Sequence, residues 1–215
     1  MSSPPSSSEP KVSAQDYAAA YARLHPKIQQ WIWDQGWQQL RAIQARAIDP
    51  VMEGESDVII SAATAGGKTE AAWLPIVSAL GIERDQQTAE VGIKALYISP
   101  LKALINDQAD RLRDLAAAVE LPVYRRHGDV GGSDRTKVLR EPDGILLITP
   151  ESLEALFVHQ GTRIPSLFAG LRYAVIDELH SFIGTERGAQ LQSLLHRIEL
   201  ALRRHVPRIA LSATL

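Results

Sequence analysis

The sequence contains no cysteine among its 215 residues. Disulfide bridges, thiol catalysis and cysteine-ligated zinc are therefore excluded. It also lacks an apolar run of the roughly 18 residues that a membrane-spanning helix requires. Its first residues, MSSPPSSSEP, do not show the charged start and apolar block of a secretory signal. We therefore predict a cytoplasmic protein with no membrane partner.

An excess of positive charge is missing as well, since 23 Lys and Arg face 25 Asp and Glu, for a formal net charge of −2. This excludes a general basic field, so any nucleic-acid binding has to come from local groups and backbone amides. What is present is an ordinary globular composition, 45% hydrophobic and 22% charged. The length suffices for one domain with a real core.

Short apolar runs and helical patterns divide the chain into three parts. Proline, serine and charge dominate residues 1–12, for which we predict a disordered tail. Residues 13–50 space apolar residues three and four apart, which predicts a helical leader interrupted at Pro26 and Gly36 and closed by Pro50. From residue 51 to 215 predicted strands alternate with predicted helices. The strands cover 57–61, 93–99, 122–127, 144–149, 172–177 and 208–213, and the helices 69–80, 101–119, 151–159 and 186–204.

This alternation predicts an α/β domain with a central parallel sheet and helices on both faces. Ligands of such sheets bind beyond the carboxyl ends of the strands. The leader contains three tryptophans, Trp31, Trp33 and Trp37, which we predict to fill the core rather than to stack on bases. Tyr21 is a candidate for stacking on adenine.

The stretch ISAATAGGKTEAA, residues 60–72, joins the first predicted strand to a helix. Gly66 and Gly67 allow the backbone amides to turn inward, Lys68 can reach outer phosphates, and the hydroxyl of Thr69 can ligate Mg²⁺. The strict phosphate-loop pattern requires glycine at position 62, where this chain has alanine. A glycine-rich turn with an incidental lysine is the alternative.

Two further groups suit nucleotide chemistry. In VIDELH, residues 175–180, Asp177 suits Mg²⁺ and Glu178 can polarise a water for attack on the γ-phosphate. Helix capping is the alternative for this pair. Gln44 can pair with adenine through its carboxamide. Its alternative is a solvated glutamine on a helix.

Taken together, AATAGGKTE, SPLKALINDQ, TPESLE, DELH and SATL resemble, in that order, motifs I, Ia, Ib, II and III of superfamily 2 helicases. Within them the chain is most similar to the DExH group and its Lhr-like members, over about residues 21–215. The resemblance implies the RecA-like P-loop fold and the N-terminal, ATP-binding lobe of a DNA or RNA helicase, with ATP and Mg²⁺ as cofactors. Ala65, where the family usually has glycine, is the departure within the loop, and we expect the loop to work.

The resemblance also implies a role for each matched residue. Those for ATP binding are Gln44, Thr64, Ala65, Gly66, Gly67, Lys68, Thr69 and Glu70. Lys68, Asp177 and Glu178 are catalytic, and Thr69 and Asp177 hold the metal. His180, Ser212, Ala213 and Thr214 would couple the nucleotide to nucleic-acid binding. The nucleic-acid track would run along Pro100, Leu101, Lys102, Thr149, Pro150 and Glu151, with Gly131, Gly132 and Arg135 as further candidates.

A superfamily 2 motor closes its nucleotide between two RecA-like lobes, and the second lobe supplies arginines for the transition state. We therefore expect a second lobe, in the same gene or on a partner chain. For the 215 residues alone we expect ATP–Mg²⁺ binding, very weak hydrolysis and no unwinding. A non-catalytic nucleotide-binding or scaffolding module is the alternative. A kinase or GTPase is disfavoured, because it offers no role for SATL or TPESLE.

Overall fold

The computed structural model describes residues 12–63, 66–128 and 137–213. The helical leader forms α1 (Ala14–Arg23), α2 (Pro26–Asp34) and α3 (Ala42–Glu53). Two predicted breaks are confirmed. Pro26 begins α2, and Gly36 follows the end of that helix with a φ of +72°.

The prediction that Pro50 closes the leader is wrong. Pro50 lies inside α3, which continues to Glu53 and ends at Gly54 in the left-handed conformation. A proline inside a helix costs roughly 3 kcal/mol, because a backbone hydrogen bond is lost. Packing against α4 (Lys68–Asp85) offsets that cost, since Ile48 and Val51 on either side of the proline are fully buried.

Six parallel strands form one sheet within the described residues, in the order β1-β6-β5-β2-β4-β3. They are β1 (Val58–Ser61), β2 (Ala95–Ile98), β3 (Val123–Arg126), β4 (Ile145–Ile148), β5 (Tyr173–Ile176) and β6 (Arg208–Ser212). Each lies within a predicted strand. Further α-helices are α5 (Lys102–Ala117), α6 (Pro150–Gln160), the short α7 (Ile164–Leu167) and α8 (Glu186–Leu202).

Alternate residues of the strands face two separate hydrophobic layers. Tyr97 and Val175 pack on one face with residues of α3, α4 and α5, whereas Ile98 and Ile176 pack on the other with residues of α6, α7 and α8. The strands β2, β4 and β5 are buried on both faces, which explains their continuous apolar runs, whereas the edge strands β1 and β3 are partly exposed. The predicted parallel α/β fold with helices on both faces is confirmed. Among the described residues, no helix combines the length and apolar character needed to cross a bilayer.

Trp33 corrects the prediction that all three leader tryptophans fill the core. Its side chain is 75% exposed, because α2 turns Ile28 and Ile32 inward instead. Trp31 and Trp37 are half-buried, pack against the core and meet edge to face, with ring centroids 5.8 Å apart. The leader therefore offers aromatic surface to solvent beside the sheet.

Candidate functional site

Many of the predicted site residues lie at the carboxyl edge of the sheet. Ala62 follows β1, Pro100 follows β2, Thr149 follows β4, Asp177 follows β5 and Ala213 follows β6. The parallel arrangement places all five segments at one edge, although they are far apart in sequence. Thr64, Ala65, Gly131, Gly132, Arg135 and Thr214 lie outside the described residues.

The predicted phosphate-binding segment ends at Gly67, and α4 begins at Lys68. The Lys68 ammonium donates hydrogen bonds to the carbonyl oxygens of Ala62 at 2.6 Å and Ala63 at 3.2 Å. Gly67 precedes the helix with a φ of +82°, a conformation that glycine adopts without steric cost. The first amides of α4 have no helical partners and face the loop, an arrangement that suits anions.

Gln44 packs directly against this loop. Its side chain is buried, and its Oε1 accepts a hydrogen bond from the Arg41 amide at 2.8 Å. A Cβ built on Gly67 would lie 2.9 Å from Gln44 Nε2. The alternative of a solvated helix glutamine is therefore wrong, because the backbone of α3 presents the carboxamide to the loop rather than to water.

A cavity of about 540 Å³ joins Gln44 to the start of α4. Its lining comprises Trp37, Gln39, Arg41, Gln44, Gly66, Gly67, Lys68, Thr69, Glu70 and Arg111. The Glu70 carboxylate accepts a hydrogen bond from Arg111 Nη2 at 2.7 Å. Tyr21 does not line this cavity. Its hydroxyl donates to the carbonyl oxygen of Gln29 at 2.8 Å, and the aromatic side chain that does line the cavity is Trp37.

Asp177 is held on all sides at the end of β5. Its amide donates to the Ile98 carbonyl oxygen at 2.9 Å, and its Oδ1 accepts from the Glu178 amide at 2.9 Å. Its Oδ2 accepts a hydrogen bond from the buried Tyr97 hydroxyl. Burial raises the pKa of Tyr97, and the Asp177 charge raises it further, so the hydroxyl stays protonated as the donor.

Glu178, His180 and Ser212 form a chain between β5 and β6. Glu178 has a left-handed backbone with a φ of +53°, and its carboxylate lies 3.4 Å from His180 Nε2. His180 Nδ1 lies 3.5 Å from the Ser212 hydroxyl. The imidazole thus lies between the Glu178 carboxylate and the Ser212 hydroxyl of β6.

A second cavity, of about 530 Å³, brings the predicted track residues together. Pro100, Lys102, Arg126, His127, Gly128, Thr149, Glu151, Ser152, Ala155, His159 and Arg187 line it. Thr149 caps α6, accepting from the Ser152 amide at 3.3 Å. Leu101 precedes α5, makes no capping hydrogen bond through its side chain, and is 57% exposed at this edge. Pro150 begins α6 and is buried.

Arg187, which the sequence reasoning missed, joins the two track loops. Its Nε and Nη2 donate to the Glu151 carboxylate at 2.6 and 3.0 Å, and Nη2 also donates to the Pro100 carbonyl oxygen at 2.9 Å. Burial opposes ionisation of Glu151, but the hydrogen bond and charge of Arg187 prevail and lower the pKa of that carboxyl. A bidentate contact of this kind fixes both loops in one geometry.

The donors at the phosphate loop fit Mg²⁺. Thr69 and Asp177 both offer the hard oxygens that this ion prefers. A carboxylate has about four lone-pair positions, so the two hydrogen bonds on Asp177 leave capacity for a cation. In the part of the chain that the structure describes, no group of three His, Cys, Asp or Glu could hold a metal alone.

Comparison with known proteins gives a consistent result. The family model described as DEAD/DEAH box helicase matches residues 41–215. The ATP-dependent helicase Lhr-Core of Methanothermobacter thermautotrophicus is 34% identical over 202 residues, which cover 89% of this chain and 23% of that protein. The Lhr helicase/uracil glycosylase of Escherichia coli is 33% identical over 205 residues, covering 88% and 13%. The chain therefore spans a quarter or less of the length of these curated relatives.

Solved structures agree with the fold. Helicase MrfA bound to DNA and AMPPNP has a TM-score of 0.75 at 28% identity, covering 90% of this chain and 26% of that one. The Mycobacterium smegmatis helicase Lhr bound to ssDNA and AMP-PNP has a TM-score of 0.74 at 27% identity, covering 91% and 25%. Mss116p bound to ssRNA and AMP-PNP shares the fold, with a TM-score of 0.81 at 19% identity over 96% of this chain and 41% of that one. The predicted RecA-like fold is confirmed.

Proposed function

Because the chain belongs to the DEAD/DEAH box helicase family, we propose that it is the ATP-binding lobe of an ATP-dependent nucleic-acid helicase or translocase. We assign residues 13–50 to a helical leader and residues 51–215 to this lobe. In the working enzyme a second RecA-like lobe, in the same polypeptide or on a partner chain, closes over the nucleotide. Hydrolysis is then coupled to separating or tracking DNA or RNA strands.

Nucleotide binding uses the cavity between the leader and α4. Gln44 reads the adenine edge, with Trp37 beside it as the aromatic surface, and the amides after Gly67 receive the phosphates. Lys68 exchanges its bonds to the loop carbonyls for phosphate oxygens. The binding of AMP-PNP by the related helicases MrfA and Lhr supports this assignment.

Hydrolysis depends on the residues that follow β5. Thr69 and Asp177 hold Mg²⁺, which neutralises charge on the phosphates when it is bound. Glu178 accepts a proton from the attacking water, and its carboxylate is partly exposed beside His180, within reach of solvent. Because transition-state arginines are expected from the second lobe, hydrolysis by this chain alone is expected to be very weak.

The observation that carries the proposal is the chain of contacts from Glu178 through His180 to Ser212. A nucleotide-binding module without coupling has no need for an imidazole between the water activator and the strand beside it. Together with Ala213, these residues link the nucleotide site after β5 to β6, so the coupling that we propose runs through β6 rather than directly into the track cavity beyond β2 and β4.

Nucleic acid binds along the second cavity. The amides of the first turn of α5 receive backbone phosphates, and Lys102 contributes positive charge beside them. At the start of α6 the Ser152 amide donates to Thr149 and Arg187 is paired with Glu151, so these residues shape the cavity rather than add net charge. Most of these contacts reach backbone rather than base edges, which is typical of binding with little sequence preference. DNA and RNA are both compatible with this surface.

Nucleotide titration tests the first part of the proposal. Lys68→Ala should abolish binding of AMP-PNP with Mg²⁺, whereas Glu178→Gln should keep binding and lose the remaining hydrolysis. Lys27→Ala removes a lysine on an exposed ion pair with Glu120 and is the matched control. Equal affinity in Lys68→Ala and wild-type protein would refute the phosphate-loop assignment.

Anisotropy of labelled single-stranded DNA and RNA, with and without AMP-PNP, tests the coupling. The wild-type lobe should change its strand affinity when nucleotide is added, and His180→Ala should bind both ligands but lose that dependence. If nucleotide binds and never alters strand affinity, with or without an added second lobe, the non-catalytic module is the correct interpretation.

A further inference from the structure

The buried hydroxyl of Tyr97 contacts the carboxylate assigned to Mg²⁺, although Tyr97 lies outside the motifs. Tyr97 is fully buried in β2 and donates a hydrogen bond to Asp177 Oδ2. In the parallel pairing of β2 with β5, Tyr97 lies opposite Val175. Asp177 is two residues beyond Val175 and therefore on the same face of the sheet, within reach of the tyrosine hydroxyl.

The tyrosine ring cannot move freely to follow the carboxylate. Its ring centroid lies 6.3 Å from that of Trp73, a fully buried residue of α4, the helix that begins at Lys68. The backbone of Asp177 is fixed as well, by its 2.9 Å hydrogen bond to the Ile98 carbonyl oxygen. With Oδ1 held by the Glu178 amide, the Tyr97 hydroxyl determines how the carboxylate plane is turned.

We propose that Tyr97 is a positioning residue that fixes the Asp177 carboxylate in the orientation that Mg²⁺ requires. This inference rests on the proposed function, which assigns Mg²⁺ to Asp177. Mg²⁺ demands near-ideal octahedral geometry, whereas Ca²⁺ accepts irregular geometry and one or two oxygens of a carboxylate. A carboxylate held in one orientation therefore favours Mg²⁺, and one that is free to turn favours it less.

The test is the substitution Tyr97→Phe in the full 215-residue chain, which removes the hydroxyl and keeps the ring. Binding of AMP-PNP is titrated at increasing Mg²⁺, at increasing Ca²⁺, and in EDTA. Tyr173→Phe is the matched control, because Tyr173 is also a buried sheet tyrosine but begins β5 at the opposite edge. Urea unfolding of both variants measures any general loss of stability.

Loss of an outer hydrogen bond to a metal ligand reduces metal affinity by about 10- to 100-fold. We expect Tyr97→Phe to raise the half-saturating Mg²⁺ concentration by about tenfold or more, with a smaller effect for Ca²⁺ and unchanged binding in EDTA. Tyr173→Phe should match the wild-type protein in all three titrations. If Tyr97 had only a structural role, the substitution would instead weaken AMP-PNP binding in EDTA, or raise the half-saturating concentrations of Mg²⁺ and Ca²⁺ equally.

Either of those results, or an unchanged Mg²⁺ curve for Tyr97→Phe, overturns the inference while leaving the proposed function in place. Wild-type protein whose AMP-PNP binding does not depend on Mg²⁺ overturns the proposed metal site and the inference with it. The wild-type titration therefore separates the two failures.

Discussion

Replacing Gly67 by alanine tests the contact between the phosphate loop and Gln44. Gly67 has a φ of +82°, and a Cβ there would lie 2.9 Å from Gln44 Nε2. A left-handed backbone costs a residue other than glycine about 1 to 2 kcal/mol. The methyl group also displaces the carboxamide that accepts from the Arg41 amide at 2.8 Å, and losing that neutral hydrogen bond costs about 1 kcal/mol.

The sum is about 2 to 3 kcal/mol, or roughly 30- to 140-fold in affinity. This cost should reduce nucleotide affinity more than stability. In the free protein the loop can relax away from the clash, whereas nucleotide binding requires both the loop and Gln44 in their observed positions. Titration with a fluorescent ATP analogue measures the dissociation constant of the Gly67→Ala variant, and urea unfolding measures its stability separately.

Two matched variants divide the effect into its parts. Gly54 has a φ of +62°, but a Cβ built on it would meet nothing closer than 3.7 Å. The Gly54→Ala variant should therefore lose about 1 to 2 kcal/mol of stability with unchanged nucleotide affinity. In a Gln44→Ala background the clash with Gln44 is absent, and Gly67→Ala should cost the backbone strain plus a small shift of the flexible Arg41 side chain, whose Cδ would lie 3.1 Å from the new Cβ. Nucleotide affinity within twofold of wild type for Gly67→Ala, or strict additivity of the two substitutions, would refute the reasoning.

Three further predictions concern the track, the start of α8 and pH. Arg187→Lys keeps the charge but loses the bidentate contact with Glu151, and should weaken single-stranded DNA binding by about 1 to 2 kcal/mol in an anisotropy titration; wild-type affinity would contradict this. Gly188→Ala would place a Cβ 1.9 Å from the Phe182 carbonyl oxygen. Urea unfolding should therefore show that the free energy of unfolding falls by about 3 kcal/mol or more. A decrease below about 1 kcal/mol would contradict the observed packing at this position. Burial raises the pKa of Tyr173 to about 12. Because the fold favours the neutral phenol, the stability that this tyrosine contributes is present below about pH 10 and is lost as pH rises towards 12. The free energy of unfolding of Tyr173→Phe should therefore depend less on pH in that window than that of the wild-type protein.

The strands and the positions of the motifs at one edge of the sheet could be predicted from the sequence alone. Each observed strand lies within a predicted one, and the strands β2, β4 and β5 are apolar throughout because both of their faces are buried. The loop containing Lys68, the pair after β5 and the segments at Pro100 and Thr149 were placed at one edge by a simple rule, since parallel strands share the direction of their carboxyl ends. Their roles stay predictions for the experiments above.

The errors occurred where packing overrides a local preference. Pro50 is a helix breaker by its chemistry, but burial of its neighbours keeps it inside α3. Trp33 is among the most hydrophobic residues of the leader and yet is exposed, because the face of α2 that carries Ile28 and Ile32 is the one that packs. Gln44 is not one of these errors, because the sequence predicted a nucleotide-binding residue and the structure excludes only the alternative of a solvated glutamine, since α3 buries the side chain beside Gly67.

The sequence by itself determined the fold class and the family and predicted which residues carry nucleotide chemistry, since apolar periodicity and motif spacing are local properties of the chain. Only the tertiary structure decided which side chains hold those residues in place. The Tyr97 hydroxyl reaches Asp177, and Arg187 joins Glu151 to Pro100, across long separations in sequence. Such contacts depend on strand order and register, which the sheet fixes through burial and backbone pairing rather than through any short stretch of residues.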